Sequence, residues 1–371
     1  MIGNTTSPTA TPRRVVIVGG GVAGLSLARA LKNAGHSPLV IERDPEWPAT
    51  GTADYLPANA VRALDRLGIA DDVAAAAHPI SRQRVTGSRE RTLVDLPVSS
   101  IWGEGASCLA MRRSTLHKLL QAATPDVPVR LGTTITARLR GNMIKLNDGS
   151  VESYDVLVGA DGTDSVVRTA GISGTKPRPT GRWCWQFIVE DWDGDDDTWH
   201  ARLAAGRSLI TMPLGDGAVY CYADLSARDG RPAGDWRDHF SGFGTQIDGV
   251  LAQAGQVYGN PITEVDQPYA FLGRTVLVGD AAHAMSPSIA QGVALAVEDA
   301  LVLADTLSSL PVEQALSAYQ ERRAPRVAWV RAQAHRRDRT RGMTPAVRDK
   351  LLQLSGRRMA LAGQRELLAM P

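Results

Sequence analysis

Apolar and polar residues follow clear periods at the start of the chain. Residues 15–18 are consecutive β-branched residues, a pattern typical of a strand buried on both faces of a parallel sheet. Residues 22–34 are rich in Ala and Leu and stop before Gly35, as helices often do. A second apolar run follows at residues 38–41. The pattern predicts a strand–helix–strand unit at the beginning of the chain.

The same two periods recur along the rest of the chain. Helical spacing predicts helices at residues 59–67, 114–123 (with Ser114 as N-cap), 293–307, 312–332 and 346 onwards. Runs typical of buried or half-buried strands occupy residues 82–96, 129–131, 135–139, 143–146, 155–158 and 275–278. Strands of a dinucleotide-binding sheet are therefore expected early, in the middle and late in the chain.

Residues 181–267 differ in character from the rest. They hold five of the eight tryptophans, are rich in Gly and Asp, and contain strand-like runs. We predict an α/β fold in which a β-rich insert interrupts the nucleotide-binding sheet and helices complete the chain. The expected units are a discontinuous nucleotide-binding domain (residues 1–80, 106–180 and 268–345), a β-rich substrate domain (residues 81–105 and 181–267) and a C-terminal helix (residues 346–371).

Charge and cysteine content argue against several classes of partner. The 41 basic and 39 acidic side chains give a formal net charge of +2, too little to attract nucleic acid. We interpret the basic clusters at Arg322, Arg323 and residues 331–341 as a solvated helix face. The three widely spaced cysteines form no CxxC pair, which argues against a disulfide framework and a zinc site.

The chain shows no signal for membrane insertion or export. The polar first residues contain no apolar signal region, and no apolar run reaches about 18 residues. We therefore expect a cytoplasmic protein.

The first candidate site is the glycine-rich turn between the first predicted strand and helix. Residues 19–24 match G-x-G-x-x-G: Gly19 permits the tight turn, Gly21 lets the backbone approach a pyrophosphate, and Gly24 allows close packing of helix on strand. Unpaired N–H groups at the helix N-terminus then face the phosphates. Glu42, at the end of the second strand, stands where a carboxylate binds ribose hydroxyls. This motif does not decide between FAD and NAD.

Two further acidic motifs follow strands of the same predicted sheet. Asp161 lies in a Gly-Ala-Asp-Gly loop, with Arg168 beyond it, and Asp280 lies in Gly-Asp-Ala-Ala-His. Because α/β sheets bind ligands at the carboxyl ends of their strands, both carboxylates are candidate ligand contacts. The long helix near Gly292 would direct its positive end at the negative charge of a reduced flavin. His283, in a tightly packed turn, is interpreted as structural.

In these three stretches the sequence resembles the group A flavoprotein monooxygenases, the family of para-hydroxybenzoate hydroxylase. That family carries the same three motifs in the same order, and the resemblance covers nearly the whole chain, most weakly at residues 181–267. It implies a Rossmann-like FAD-binding domain with an inserted β-sheet substrate domain. It also implies an enzyme that uses NAD(P)H and O2 to hydroxylate or epoxidise a small aromatic or polyketide-like molecule through a flavin C4a-hydroperoxide. A monomer or homodimer is expected.

The resemblance also implies which residues contact FAD. Those at the pyrophosphate would be Gly19, Gly21, Val22, Ala23 and Gly24. Those at the adenosine end would be Glu42, Arg43 and Ile135. Arg113 would contact FAD just ahead of the helix predicted from residue 114. Those at NAD(P)H, the ribityl chain or the flavin ring would be Asp161, Asp280, Pro287, Gly292 and Val293.

The sequence departs from the family pattern at three places. Ala290 replaces the first glycine before the long helix, and Ala294 stands where an asparagine often follows. The loop after the second strand has no arginine between Arg43 and Arg62. If the backbone at Ala290 needs a positive φ, its methyl group would crowd the flavin edge. These changes bear on ring mobility and on how the flavin is reduced.

Catalytic residues are not assigned by the sequence, since no Ser/His/Asp triad or metal cluster is visible. Asp54, Tyr220 and His200 could each deprotonate a phenol, and nothing in the sequence selects one of them. The tryptophans of the insert are expected to form the roof of the substrate pocket, mainly as core residues. They are Trp183, Trp185, Trp192, Trp199 and Trp236.

Three other functions share parts of this pattern. A flavin-dependent halogenase is the main one, because residues 183–188 echo the W-x-W-x-I-P signature, although Val189 replaces its proline. A flavin-binding protein without redox turnover is favoured by Ala290 and Ala294. A plain NAD-dependent dehydrogenase would need only the first motif.

Overall fold

The computed structural model describes residues 11–47, 51–87, 90–194, 197–266 and 270–370. The expected domain boundary at residues 267 and 268 lies outside these described residues. The strands are β1 (Arg14–Val18), β2 (Ser37–Ile41), β3 (Ala53–Leu56), β4 (His78–Pro79), β5 (Arg82–Thr86), β6 (Thr92–Pro97), β7 (Leu109–Arg112), β8 (Val129–Arg130), β9 (Ile135–Leu139), β10 (Met143–Leu146), β11 (Val151–Ser153), β12 (Val156–Gly159), β13 (Arg178–Val189), β14 (Thr198–Leu203), β15 (Arg207–Gly215), β16 (Ala218–Ser226), β17 (Tyr258–Glu264), β18 (Phe271–Leu272) and β19 (Thr275–Leu277).

Helices cover the central sheet and form the end of the chain. The α-helices are α1 (Val22–Asn33), α2 (Ala58–Leu67), α3 (Ala70–Ala76), α4 (Val98–Trp102), α5 (Arg113–Ala122), α6 (Val166–Gly171), α7 (Thr245–Ala252), α8 (Asp280–His283), α9 (Gly292–Ser309), α10 (Val312–Arg341) and α11 (Pro345–Ala362). Short 3-10 helices lie at Trp236–Phe240, Pro287–Ile289 and Arg365–Leu367. No helix among the described residues is long and apolar enough to cross a membrane.

The central sheet has the strand order β18-β19-β12-β1-β2-β8 and is parallel except at β18. The early, middle and late strands of the sequence, β1, β12 and β19, are therefore neighbours. Since parallel strands end at one edge, this topology brings the loops after all three strands together. The α/β fold predicted from the sequence is confirmed.

Alternate residues of β1 enter different hydrophobic cores. Val15 and Ile17 pack with α1 and α9 on one face of the sheet. Val16 and Val18 pack on the other face with Ile144 of β10, which belongs to the small antiparallel sheet β11-β10-β9. Burial of every residue from Val15 to Val18 explains why this strand reads as one continuous apolar run.

A seven-stranded sheet with the order β17-β13-β16-β15-β14-β5-β6 forms the second layer. Its strands β5 and β6 come from residues 82–97, and β5 pairs in parallel with β14 of the insert. Two separate parts of the chain thus build one sheet. On β13, Trp185 and Phe187 face a core closed by α7, while Cys184 faces the opposite core.

Two predictions about helix ends and charge are wrong. Helix α5 begins at Arg113 with no side-chain cap, so Ser114 is not its N-cap. The basic cluster is not a uniformly solvated face, because α10 continues to Arg341 and buries part of its charge. Arg323 has a side-chain exposure of 3%, against 41% for its neighbour Arg322.

Helix α10 is held to the seven-stranded sheet by a buried carboxylate. Asp224 on β16 accepts hydrogen bonds from Arg341 and Ser208, and from Arg182 at 2.9 Å. Its side chain is fully buried. A buried anion of this kind is stable only while its cationic partners surround it.

We expect Asp224→Ala to lower the free energy of unfolding by about 3–5 kcal/mol, because Arg182 loses its counter-ion and Arg341 keeps only the pair with Asp338 at 3.5 Å. Urea denaturation followed by tryptophan fluorescence measures this. In the control Asp305→Ala, which removes an exposed ion pair with Arg322, the loss should stay below about 1 kcal/mol. Equal losses for the two variants would contradict this role of Asp224.

Candidate active site

A cavity of about 480 Å³ lies between the loop edge of the central sheet and the seven-stranded sheet. We call it the active cavity. The predicted FAD contacts that line it are Gly21, Val22, Ala23, Arg113, Asp280, Pro287, Gly292 and Val293. Gly21 at the start of α1 and Gly292 at the start of α9 therefore border one continuous space, as a single extended dinucleotide requires.

The glycine-rich turn has the geometry of a phosphate-binding loop. Gly19 has φ +107°, and a Cβ there would lie 2.3 Å from the carbonyl oxygen of Ala160. A Cβ on Gly24 would lie 1.9 Å from the carbonyl oxygen of Gly19. Gly21, by contrast, has no atom within 4 Å of its Cβ position and caps α1 without a side-chain hydrogen bond. The helix end is thus open for an anion.

Glu42 couples the end of β2 to this turn. Its carboxylate accepts hydrogen bonds from the backbone N–H of Gly20 at 2.7 Å and of Asp44 at 3.0 Å. Arg43 is exposed, with Asp44 at 3.9 Å, and Ile135 lies half-buried on β9. Neither Arg43 nor Ile135 lines the active cavity, so both predicted contacts lie beyond the turn, on the side of Glu42.

Asp161 caps a helix at the second motif. One carboxylate oxygen accepts from the N–H groups of Val166 at 2.8 Å and Val167 at 3.2 Å. The other, Oδ1, is buried and has no hydrogen-bond partner among the described residues. Burial raises the pKa of Asp161 against these hydrogen bonds. The flanking residues Ala160 and Gly162, rather than Asp161 itself, line the active cavity.

Arg168 fastens the second motif to the third. Its buried guanidinium donates to the carbonyl oxygens of Thr163 at 2.5 Å, Thr175 at 2.9 Å and Ala281 at 2.8 Å. Thr163 follows the Asp161 loop and Ala281 follows Asp280. One side chain therefore fixes the spacing of two loops that border the cavity.

The third motif is held by the buried carboxylate of Asp299 on α9. This carboxylate accepts from the Gly279 N–H at 2.8 Å, His283 Nε2 at 2.7 Å and Arg323 Nε at 2.7 Å. Burial alone would raise the pKa of Asp299, but attraction to His283 and Arg323 outweighs it and lowers the pKa to about 2. His283 is bound to this carboxylate, which agrees with a structural role for its ring.

Glu298 extends the same network toward the N-terminus of α9. It accepts from Arg323 at 2.9 Å, from Arg326 at 2.5 Å and from Asn59 at 3.2 Å. Asn59 in turn bonds Gln291, the N-cap residue of α9, at 2.8 Å. These residues were not predicted from the sequence. Two adjacent acids within the otherwise apolar first part of α9, residues 292–304, were the signal that could have revealed them.

The loop before α9 contains a strained alanine. Ala290 has φ +51° and ψ +46°, the left-handed region, and it lines the active cavity. The positive φ suspected from the sequence is therefore present, with a methyl group where glycine is easiest to place. Ala294 is fully buried in the core of α1 and α9, so it does not face the cavity.

The three candidate bases have different surroundings. His200 lies outside the cavity lining, bonds Thr86 at 3.0 Å, and has its pKa lowered to about 3 by burial and nearby arginines. Tyr220 lines the cavity and donates to Gln186 at 2.8 Å, and burial raises its pKa. Asp54 lines the cavity in a two-point ion pair with Arg113, at 2.7 and 3.1 Å. None of the three is a free base facing the cavity.

The far wall of the active cavity is aromatic and apolar. It is formed by Trp102, Trp199, Ile210, Met212, Tyr220 and Tyr222. Of the five tryptophans expected in the pocket roof, only Trp199 lines it, and Trp183, Trp185, Trp192 and Trp236 pack at the core on the other side of the sheet. Trp102, from α4, was not anticipated from the sequence.

A family model described as FAD binding domain matches residues 13–334. The chain belongs to the group A FAD-dependent aromatic monooxygenases. A 2-heptyl-3-hydroxy-4(1H)-quinolone synthase from Pseudomonas aeruginosa is 32% identical over 339 residues, covering 86% of this chain and 87% of the relative. Aurachin C monooxygenase/isomerase from Stigmatella aurantiaca is 31% identical, covering 84% and 85%.

Solved structures share the fold of this monooxygenase. HpxO from Klebsiella pneumoniae, complexed with FAD and uric acid, superposes with a TM-score of 0.88 at 24% identity, covering 96% of this chain and 97% of that chain. The predicted cofactor, FAD, and the predicted flavin-dependent hydroxylating activity are confirmed, with NAD(P)H the reductant typical of the family. The comparisons therefore favour the monooxygenase over the halogenase, the flavin protein without turnover and the dehydrogenase.

Gly21→Ala and Gly24→Ala separate cofactor binding from folding. Gly21→Ala should change the free energy of unfolding of the FAD-free protein by less than about 1 kcal/mol, yet weaken FAD binding by about tenfold, which equals about 1.4 kcal/mol. Gly24→Ala should destabilise the FAD-free protein by about 1–3 kcal/mol or more through overpacking. Urea unfolding and FAD titration by flavin fluorescence measure both. Unchanged FAD affinity in Gly21→Ala would contradict this assignment.

Asp299→Asn should lower the free energy of unfolding by about 3–5 kcal/mol at neutral pH, because Arg323 loses a buried counter-ion. The folded-state pKa of about 2 lies below the ordinary 3.8. The stabilisation is therefore complete above about pH 4 and is lost as pH falls through about 2. Urea unfolding at several pH values should show that the difference in free energy of unfolding between wild type and Asp299→Asn becomes smaller below about pH 4. The control Glu313→Gln, at an exposed pair with Arg274, should have almost the same free energy of unfolding as wild type. If the destabilisation of Asp299→Asn did not depend on pH, the role given to the Asp299 carboxylate would be refuted.

Proposed function

We propose that this monooxygenase hydroxylates the ring of a quinolone-type nitrogen heteroaromatic compound. The observation that carries the proposal is the single cavity joining the two glycine-bordered helix ends to a flat aromatic wall. Support for the ring class comes from the quinolone synthase relative, which aligns over 86% of this chain. A planar bicyclic ring matches walls built from Trp199, Tyr220 and Tyr222.

We propose that the open N-terminus of α1 at Gly21, Val22 and Ala23 binds the FAD pyrophosphate. Gly19 and Gly24 would act by keeping the turn and helix close. Glu42 would bind the adenosine ribose, with Arg43 and Ile135 near that end, and Arg113 would contact FAD from its position beside Asp54. The residues proposed for the ribityl chain and the flavin ring are Asp280, Pro287, Gly292 and Val293.

The residues present fit this cofactor. Gly21 and Gly292 leave open space, and neither α1 nor α9 has an acidic residue in its first turn to repel a negative group. Asp161 keeps one buried carboxylate oxygen unpaired beside the turn but does not line the cavity, so its proposed part in binding FAD or NAD(P)H is to hold Ala160 and Gly162 at the cavity wall. When bound, FAD supplies the transfer of one oxygen atom from O2 to a ring carbon, with electrons from NAD(P)H.

Ring oxygenation needs an electron-rich substrate, and Arg337 is placed to favour one. It lines the active cavity and donates to the Ser288 carbonyl oxygen at 2.9 Å, and it forms no ion pair within the described part of the chain. Burial, together with nearby Arg341, lowers its pKa. We propose that Arg337 stabilises the negatively charged ring oxygen of an ionised substrate, so that no protein base is needed.

Trp102 offers a further recognition group. It has an exposure of 5%, lines the active cavity, and its indole Nε1 has no hydrogen-bond partner among the described residues. A buried N–H without a partner is costly, so a ligand oxygen would complete it. We propose that Trp102 donates to an oxygen of the substrate.

A cytoplasmic location and a monomeric or dimeric state remain predictions.

The proposal is tested by adding 4-quinolones, simple phenols and indoles to the FAD-loaded protein. We expect 4-quinolones to stimulate NAD(P)H consumption most, with one oxygen from ¹⁸O₂ found in the product by mass spectrometry. Arg337→Met should raise KM about tenfold or more through loss of a charge-assisted hydrogen bond. Arg339→Met, an exposed arginine on the same helix, should leave KM unchanged. Stimulation by phenols or indoles but not by quinolones would refute the ring class.

A further inference from the structure

A second cavity, of about 130 Å³, lies between the seven-stranded sheet and helices α10 and α11. We call it the annex. Trp199, Ile210, Ile289 and Arg337 line both the annex and the active cavity. The annex is therefore next to the proposed ring site, on the side away from the glycine-rich turn.

The annex is apolar where the sheet and α11 meet. This part is formed by Val85, Val94, Leu96, Leu203, Leu352 and Met359. Protein interiors are packed nearly as densely as organic crystals, so an apolar space of this size is unusual in a core. Apolar cavities stay dry, and the ligands that they accept are apolar as well.

Charge around the annex restricts what can enter it. Much of its polar lining is on α10, where Arg336, Arg337 and Arg341 lie, and no acidic residue appears in its described lining. Arg341 is already paired with the buried Asp224. A cationic substituent would be repelled here, and a carboxylate would have to leave water for a largely apolar space. An uncharged hydrocarbon group is the best match.

Two unpaired polar atoms occur in residues that line both cavities. Gln364 Oε1 and Arg341 Nε are buried without hydrogen-bond partners in the described residues. A polar ring placed in the active cavity could satisfy them, while a carbon chain attached to the ring continued past Trp199 into the annex. The arrangement separates a polar, aromatic end of the ligand from an apolar one.

We propose that the annex binds a hydrocarbon chain attached to the substrate ring. This inference rests on the proposed function for the position of the ring, and it adds that the substrate carries an alkyl or similar uncharged tail. Trp199 and Ile210 then act as specificity-determining residues between ring and tail. Helix α11 also belongs to this site, because it packs against β6 and closes the annex from the outside.

The test measures binding of 4-quinolones carrying 2-methyl, 2-propyl, 2-pentyl and 2-heptyl groups to the FAD-loaded protein, by quenching of tryptophan fluorescence. Affinity should rise about fourfold per methylene until the annex is full, as for burial of hydrocarbon elsewhere. Ala360→Phe, which places a ring in the annex, should abolish this rise and leave 2-methyl binding within about twofold. Leu354→Phe, at a position on α11 that is 77% exposed, is the matched control and should behave as wild type.

Met359→Ala provides a second variant in case Ala360→Phe does not fold. It enlarges the annex, so the affinity should continue to rise at chain lengths where the wild-type affinity has stopped rising. If all the quinolones bound with the same affinity whatever the length of their chain, the proposed role of the annex would be refuted, and the quinolone ring class would still be supported.

A parallel series of 4-alkylphenols separates the two proposals. If no quinolone binds but alkylphenols show a chain-length dependence that Ala360→Phe removes, the quinolone class is wrong and the annex is supported. If neither series depends on chain length, the annex is refuted whatever ring the enzyme accepts.

Discussion

Two adjacent carboxylates on α9, Glu298 and Asp299, hold this structure together. Asp299 joins the end of β19 to His283 and to Arg323 of α10, and Glu298 shares Arg323 and reaches toward Gln291. All of this charge is buried. Because an uncompensated buried charge is far more costly than the complete network, the members are stable only together. They thereby fix where the long helix begins and where its open end faces.

The active cavity follows from this fixed helix and from the alternation of side chains on the opposing sheet. On β16, Tyr220 and Tyr222 point to the cavity side, while Val219 and Cys221 enter the core beneath α7. A period of two thus gives one sheet a recognition face and a packing face. In the proposed function, the same aromatic wall would orient the substrate ring and exclude water, as oxygen transfer requires.

The loops around the cavity combine rigidity with local strain. Arg168 ties the second and third motifs together, whereas Ala290 holds a left-handed conformation at the cavity edge. Strain of this type persists where surrounding structure over-determines the backbone, and it clusters at functional sites. The absence of the glycine expected at this position has therefore been accommodated by the fold, with a methyl group bordering the proposed flavin site.

The order of the three motifs, the strand–turn–helix at Gly21 and the α/β fold could all be predicted from the sequence, because they depend on local periods and on glycine geometry. The helix end at Gly292 could be predicted as well. Which charges are buried could not be predicted in this way: Arg322 and Arg323 are neighbours in the chain, yet Arg322 is solvated and Arg323 binds the buried Asp299. The same holds for Trp199, which alone among the insert's tryptophans faces the cavity. Whether a side chain is buried depends on packing against elements that are distant in the chain, and the local sequence pattern does not indicate which elements these are.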